Sequence, residues 1–287
     1  MLPGVETGET KAIHRARVAS RRLRELLPLL QLEPKTARKL GRKLRKATRQ
    51  LGGVRELDVL LMLTDELHES GRYPEKAVRR VAADVRNTRA KARKGFSEGK
   101  RPLAELRRVA RALEKVERHL ETSDKPPRAG PWTWAVEARI SRRAQTLLAT
   151  VDEAGSMYLS ERLHVVRIAL KKLRYAVELG SEAAGAKPDG DLNALKRMQT
   201  LLGRLHDLQV LVDRVRSVQA ALDPPDVVVW HDLDALIIAL DRSCRRLHAR
   251  YIRDRAQLVD ICQRLAARNS GTPGASSGRG GAVRRAG

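Results

Sequence analysis

Aromatic residues are almost missing from this 287-residue chain, which has one Phe, three Trp and four Tyr. Proteins that grip single-stranded nucleic acid stack bases on aromatic rings, so that mode of binding is disfavoured, whereas contact with a duplex is not. Cysteine is scarcer still. Cys244 and Cys262 fall on one helical segment 18 residues apart. At helical rise that spacing separates them by about 27 Å, too far for a disulfide, and both read as buried thiols in a reducing compartment. No apolar run is long enough to span a membrane. The opening MLPGVETGETK has no apolar stretch of the kind a signal peptide needs. Together these absences lead us to expect a cytoplasmic protein with no membrane association.

Acidic charge is the other deficit. Asp and Glu number 34 against 58 Lys and Arg, a formal charge of +24. Such an excess repels itself in a folded chain and attracts a polyanion. Nucleic acid, inorganic polyphosphate and an anionic membrane surface are the candidates. The cations are mostly Arg, 43 against 15 Lys, and the planar guanidinium fork suits bidentate contact with phosphate oxygens. The length and an apolar share of 42% allow one large domain or two small ones with a sizeable core.

What is present is helix. Ala, Leu, Arg, Glu and Lys dominate residues 10–268, with apolar positions at steps of three and four. VVVW at 227–230 is the main strand-like exception and is too short to build a sheet. Turns are expected at Pro34, Gly52-Gly53, Gly71 to Pro74, Gly99 to Pro102, SDKPPRAGP (123–131), Gly155, Lys187 to Gly190 and Pro224-Pro225. The helices between them are expected to be long and antiparallel, packed as a bundle. Residues 1–7 read as an N-terminal extension, and the Gly/Ser/Arg-rich stretch 269–287 as a disordered tail.

The chain also repeats itself. HRARVASRRLR (14–24) returns as HVVRIALKKLR (164–174), and LRKATRQLGGVRELDVL (44–60) returns as LKRMQTLLGRLHDLQVL (195–211). Two blocks in one order, at nearly one offset, argue for duplication. The expected fold is all-α, with halves at about 8–122 and 132–268, a linker at 123–131 and a pseudo-two-fold between the halves.

At about 100° per residue, His14, Arg17, Arg21 and Arg24 fall in one stripe of about 80°, opposite Leu23, Leu26, Leu27 and Leu30. His164, Arg167, Lys171 and Arg174 reproduce that stripe. Arg38, Arg42, Arg45 and Arg49 form another on the next helix, opposite Leu40, Leu44, Ala47 and Leu51. Like charges at these spacings destabilise a helix, so a bound anion is the better explanation of the stripes than a solvated surface. Arg22, Lys172 and Lys196 are counted with them. The histidines suit a hydrogen bond to phosphate and should be neutral beside so many cations. A capping or packing role and a phosphoacceptor role stay open, and a metal site is disfavoured because no Cys/His cluster accompanies them. Carboxylates of the second block, Glu56, Asp58 and Asp207, would hold neighbouring Arg side chains in place. GFSEGKR (95–101) has the wrong spacing for a phosphate loop, and no nucleophile–base motif is evident. No catalytic residue, cofactor or metal is therefore assigned.

The doubled H-x-x-R-[VI]-x-x-[RK]-[RK]-L-R pattern, followed each time by LGGVRELDVL or LGRLHDLQVL, resembles the CHAD family, the conserved histidine α-helical domain, over about residues 8–268. The resemblance implies two helical bundles around a basic groove or pore. It also implies binding of inorganic polyphosphate and association with polyphosphate granules and their proteins. The matching positions are His14, Arg17, Arg21, Arg22, Arg24, His164, Arg167, Lys171, Lys172 and Arg174. His206 stands opposite Arg55, and Gln209 opposite Asp58, so unequal halves are expected. A nucleic-acid-binding protein, chosen on charge alone, and an enzyme cleaving polyphosphate or a triphosphate are the rival readings. Nucleic acid is expected to bind only weakly and without specificity.

Overall fold

The computed structural model describes residues 4, 9–30, 32–98, 100–121, 129–186, 189–222 and 226–267. Among them the regular structure is entirely helical. The helices are α1 (Thr10–Leu26), α2 (Pro34–Glu69), α3 (Glu75–Glu98), α4 (Lys100–Glu121), α5 (Ala129–Ala154), α6 (Ser160–Ala183), α7 (Gly190–Ala220) and α8 (Val227–Ala267). A 3-10 turn at Leu27–Leu29 follows α1.

Local chemistry explains most of the boundaries. Pro34 opens α2, where its missing N–H costs nothing. The Asp189 side chain accepts from the Leu192 N–H at 2.8 Å and caps α7. Gly71 and Gly155, with φ of +62° and +63°, end α2 and α5 in the left-handed conformation. Pro102 lies in the first turn of α4, and residues 129–131 of the expected linker open α5. Gly99, residues 123–128, Pro224-Pro225 and the tail lie outside the described residues.

Two expectations are corrected. Gly52-Gly53 is no turn; both lie inside the 36-residue α2. VVVW is no strand but the first turn of α8, because Asp226 Oδ1 accepts from the N–H groups of Val228 and Val229 at 3.1 Å. That cap outweighs the strand preference of three valines.

The core is shared between the two halves. One cluster joins α5 and α6 to the N-terminal part of α7 and the C-terminal part of α8, through Leu147, Leu170, Leu195 and Ile261. A second joins the C-terminal part of α2 and α3 to the rest of α7 and α8, through Leu63, Val81, Leu211 and Leu236. Helices α7 and α8 therefore brace both clusters. Smaller clusters seat α1 on α2, through Ile13, Ala16, Leu51 and Val54, and bring α4 onto α2 at Val109, Leu40 and Leu44. Leu40, Leu44, Ala47 and Leu51 are buried as the periodicity predicts. Cys244 and Cys262 are buried free thiols. Helix α1 also touches α6, and α2 touches α7. The four helices that carry the repeated blocks thus meet.

Candidate anion-binding site

Where those four helices meet they enclose a cavity of about 630 Å³. Helices α1 and α6 turn apolar residues to the core clusters, and this leaves their basic residues facing the gap. From α1 come His14, Arg17, Arg21 and Arg24; from α6 come His164, Arg167, Lys171 and Lys172. Helix α2 adds Arg55 and Glu56, and α7 adds His206 and Asp207. Seven Arg and Lys side chains line the space against three carboxylates, Glu25, Glu56 and Asp207. The first of these acids is already engaged. Buried Glu25 accepts from Arg139 at 2.6 Å and Arg143 at 3.0 Å, both on α5, so it braces α1 while still offsetting part of the charge on Arg24 and Lys172.

Arg17 is placed by the backbone of α2. Its Nη1 donates to the Thr48 carbonyl at 2.9 Å. It reaches that carbonyl because Gly52 is one helical turn further on. A Cβ at Gly52 would lie 2.9 Å from Arg17 Nη1. The aligned Gly203 has no such neighbour within 4 Å. What reads in sequence as a turn is therefore a close approach inside a helix.

Across the cavity, His164 Nδ1 and His206 Nδ1 are 3.3 Å apart, so one ring donates and the other accepts. Burial, followed by the Arg167 charge, holds His206 down at about 4. Burial also lowers His164, with Arg167 and Lys171 adding to it. His14 is lowered by burial and then by Arg55, Arg17 and Arg21. Lys171 falls to about 7, through burial first and then Arg167, Arg21 and Arg17, with Asp207 opposing. Arg17 falls to about 10 by burial, Arg21 and Arg55. Asp207 is raised, since burial outweighs the pull of Arg167, Arg204, Arg55 and Lys171. The pattern is that of a partly dried, overcharged cavity with too few counter-ions.

The other predicted residues lie outside this lining. Arg38, Arg42, Arg45 and Arg49 are exposed on the N-terminal half of α2. Arg45 still lies close enough to Arg24 to help lower its pKa, after burial. Arg22 is taken by Glu182. Arg174 is held by Glu178 and by Gln199 at 2.6 Å, over the ring of Tyr175. Lys196 lies 3.9 Å from the same Glu178. The contrast between Arg24 and Arg174 has a sequence cause: Glu178, one turn beyond Arg174, aligns at the offset of the repeated blocks with Pro28, which supplies no carboxylate. Of the second-block acids, Asp58 does hold an Arg, but it is Arg89 of α3, at 2.6 Å. Sequence reasoning overlooked Glu25, although at about 100° per residue it falls about 20° past His14, at the edge of the basic stripe. It also overlooked Tyr175, and His206 as a partner of His164.

No cluster of three or more metal-ligating side chains occurs among the described residues. No described helix is long and apolar enough to cross a membrane. A family model described as the CHAD domain matches residues 2–216, a span that holds every residue lining the cavity and leaves out α8. No curated protein matches the chain.

Proposed function

The chain belongs to the CHAD family, and from that premise we propose that it binds inorganic polyphosphate in the cavity between α1, α2, α6 and α7. One observation carries the reading: seven Arg and Lys side chains converge on a single space with no equal number of carboxylates to neutralise them. A thin, base-free phosphate chain supplies one negative charge per unit and needs no aromatic platform. Each charge-assisted hydrogen bond to a phosphate oxygen is worth about 1.5–3 kcal/mol in a partly desolvated site. Selectivity over a duplex is steric, since a cavity of about 630 Å³ between four helices admits a chain and no double helix.

We read α1–α2 and α6–α7 as the two copies of a duplication, with a pseudo-two-fold through the cavity. The contacts of α1 with α6 and α2 with α7 support this. The copies contribute unequally, since Arg24 lines the cavity and Arg174 does not. Binding without turnover, and association with polyphosphate granules and their proteins, belong to the same proposal.

The test is a titration with polyphosphates of defined length, beside ATP and duplex DNA as competitors. Polyphosphate should bind and resist displacement by DNA at equal phosphate concentration. Displacement by DNA would favour the nucleic-acid reading. Phosphate release with Mg²⁺ or Mn²⁺, abolished in His14→Ala, would favour the enzyme reading.

A further inference from the structure

The cavity is crowded with charge of one sign, and its groups differ in how they relieve that crowding. Guanidinium groups keep their protons throughout the working pH range. Lysine and histidine are the groups that yield. Lys171 lines the cavity among these cations. Arg17 and Arg21 bear on it from α1 and Arg167 from one turn earlier on α6, with Asp207 of α7 opposing them. His164 and His206 are the other titratable pair, on facing helices. The remaining ionisable groups around the cavity are His14, Arg24 and Glu25 of α1, Arg55 and Glu56 of α2, and Lys172 and Tyr175 of α6.

The imidazole pair has a definite proton capacity. At an Nδ1···Nδ1 distance of 3.3 Å one ring carries the shared hydrogen and the other accepts it. The donor ring then has a free Nε2. Protonating that atom gives an imidazolium–imidazole pair with the bridging hydrogen bond intact and strengthened. A second proton would place two N–H groups head to head. The pair therefore takes one proton and no more.

We infer that binding of a phosphate polymer at this cavity is a proton-uptake reaction, in which Lys171 and then the His164–His206 pair are charged by the arriving anion. This rests on the polyphosphate reading of the cavity and adds a linkage to it. In the empty cavity Lys171 is held at about 7, so above neutral pH it is largely uncharged. Polyphosphate reverses the sign of the local field and restores the ammonium. Binding then strengthens as pH falls, by tenfold per pH unit for each proton taken up. Internal phosphates of a long chain stay ionised across this range, so the titrating groups belong to the protein.

The experiment is isothermal titration calorimetry with long-chain polyphosphate at about pH 8, in two buffers of different ionisation enthalpy, with affinity followed from about pH 6 to 8.5. The wild type should take up about one proton per occupied cavity at pH 8, and its affinity should fall about tenfold per pH unit above neutrality. Lys171→Arg fixes the charge, so it should bind more tightly than wild type at pH 8.5 and lose most of that uptake. Adding His164→Gln and His206→Gln should reduce the uptake that remains near pH 6 to what His14 alone contributes. Circular dichroism confirms that each variant is folded. Polyphosphate binding with no buffer dependence, or an unchanged pH slope in Lys171→Arg, overturns the inference and leaves the binding reading standing. Absence of binding at every pH overturns both.

Discussion

Gly52→Ala separates binding from stability at a single methyl group. Gly52 lies inside α2, where Ala is favoured over Gly by about 1 kcal/mol. The new Cβ would stand 2.9 Å from Arg17 Nη1, so the guanidinium swings away and the Thr48 carbonyl loses its charged donor. That bond is worth about 1.5–3 kcal/mol at most, and water at the cavity mouth replaces part of it. Net stability should therefore change by no more than about 1 kcal/mol. Affinity for polyphosphate should drop more, because a displaced Arg17 no longer aims into the cavity. One charge-assisted contact of about 1.5–3 kcal/mol corresponds to about 10- to 150-fold. Gly53→Ala and Gly203→Ala are the controls. Neither position has a neighbour within 4 Å of its would-be Cβ, so both should gain helix stability and bind as wild type. The assays are anisotropy titration with labelled polyphosphate at fixed salt, and urea denaturation. Equal affinities for Gly52→Ala and Gly53→Ala would refute the reasoning.

Glu25→Gln should destabilise the domain by about 3 kcal/mol in urea, because it leaves the poorly exposed Arg139 and Arg143 facing each other without their shared carboxylate; a loss below about 1 kcal/mol contradicts that role. Stability of the unligated protein should rise from about pH 7 to 8.5. The Lys171 pKa is depressed to about 7 in the folded state from an ordinary 10.5, so over that window the unfolded chain binds the extra proton, and raising pH removes that advantage. The lowered histidines act in the same direction below their ordinary 6.5. A melting temperature that falls between pH 6 and 8.5, or one whose pH dependence is unchanged by saturating polyphosphate, contradicts this.

The helices and their basic stripes were legible in sequence for one reason, whereas the groove between them came from the family resemblance. Apolar residues at three- and four-residue steps fix which face of a helix is buried, and with it which face remains for charge. His14, Arg17, Arg21 and Arg24 share a stripe in sequence and share a cavity in the fold. Periodicity says nothing about what another helix brings near. Gly52 reads as a breaker until Arg17 is seen over it. Arg174 reads as the twin of Arg24 until Glu178 is found holding it. VVVW reads as strand until Asp226 caps it. The row Arg38, Arg42, Arg45 and Arg49 has the same periodicity as the cavity stripe, yet it lies on the part of α2 that contributes no cation to the cavity.

That last difference supplies the most direct measurement. Arg17→Glu with Arg21→Glu reverses two charges inside the cavity, and Arg38→Glu with Arg42→Glu reverses two outside it, with the same change in net charge. If a phosphate polymer is held between the four helices, titration at fixed salt should show binding nearly abolished in the first variant. The second should weaken only by the modest factor that long-range attraction accounts for, and both should remain folded by circular dichroism. Equal losses in the two variants would mean that charge alone, without the cavity, attracts the ligand.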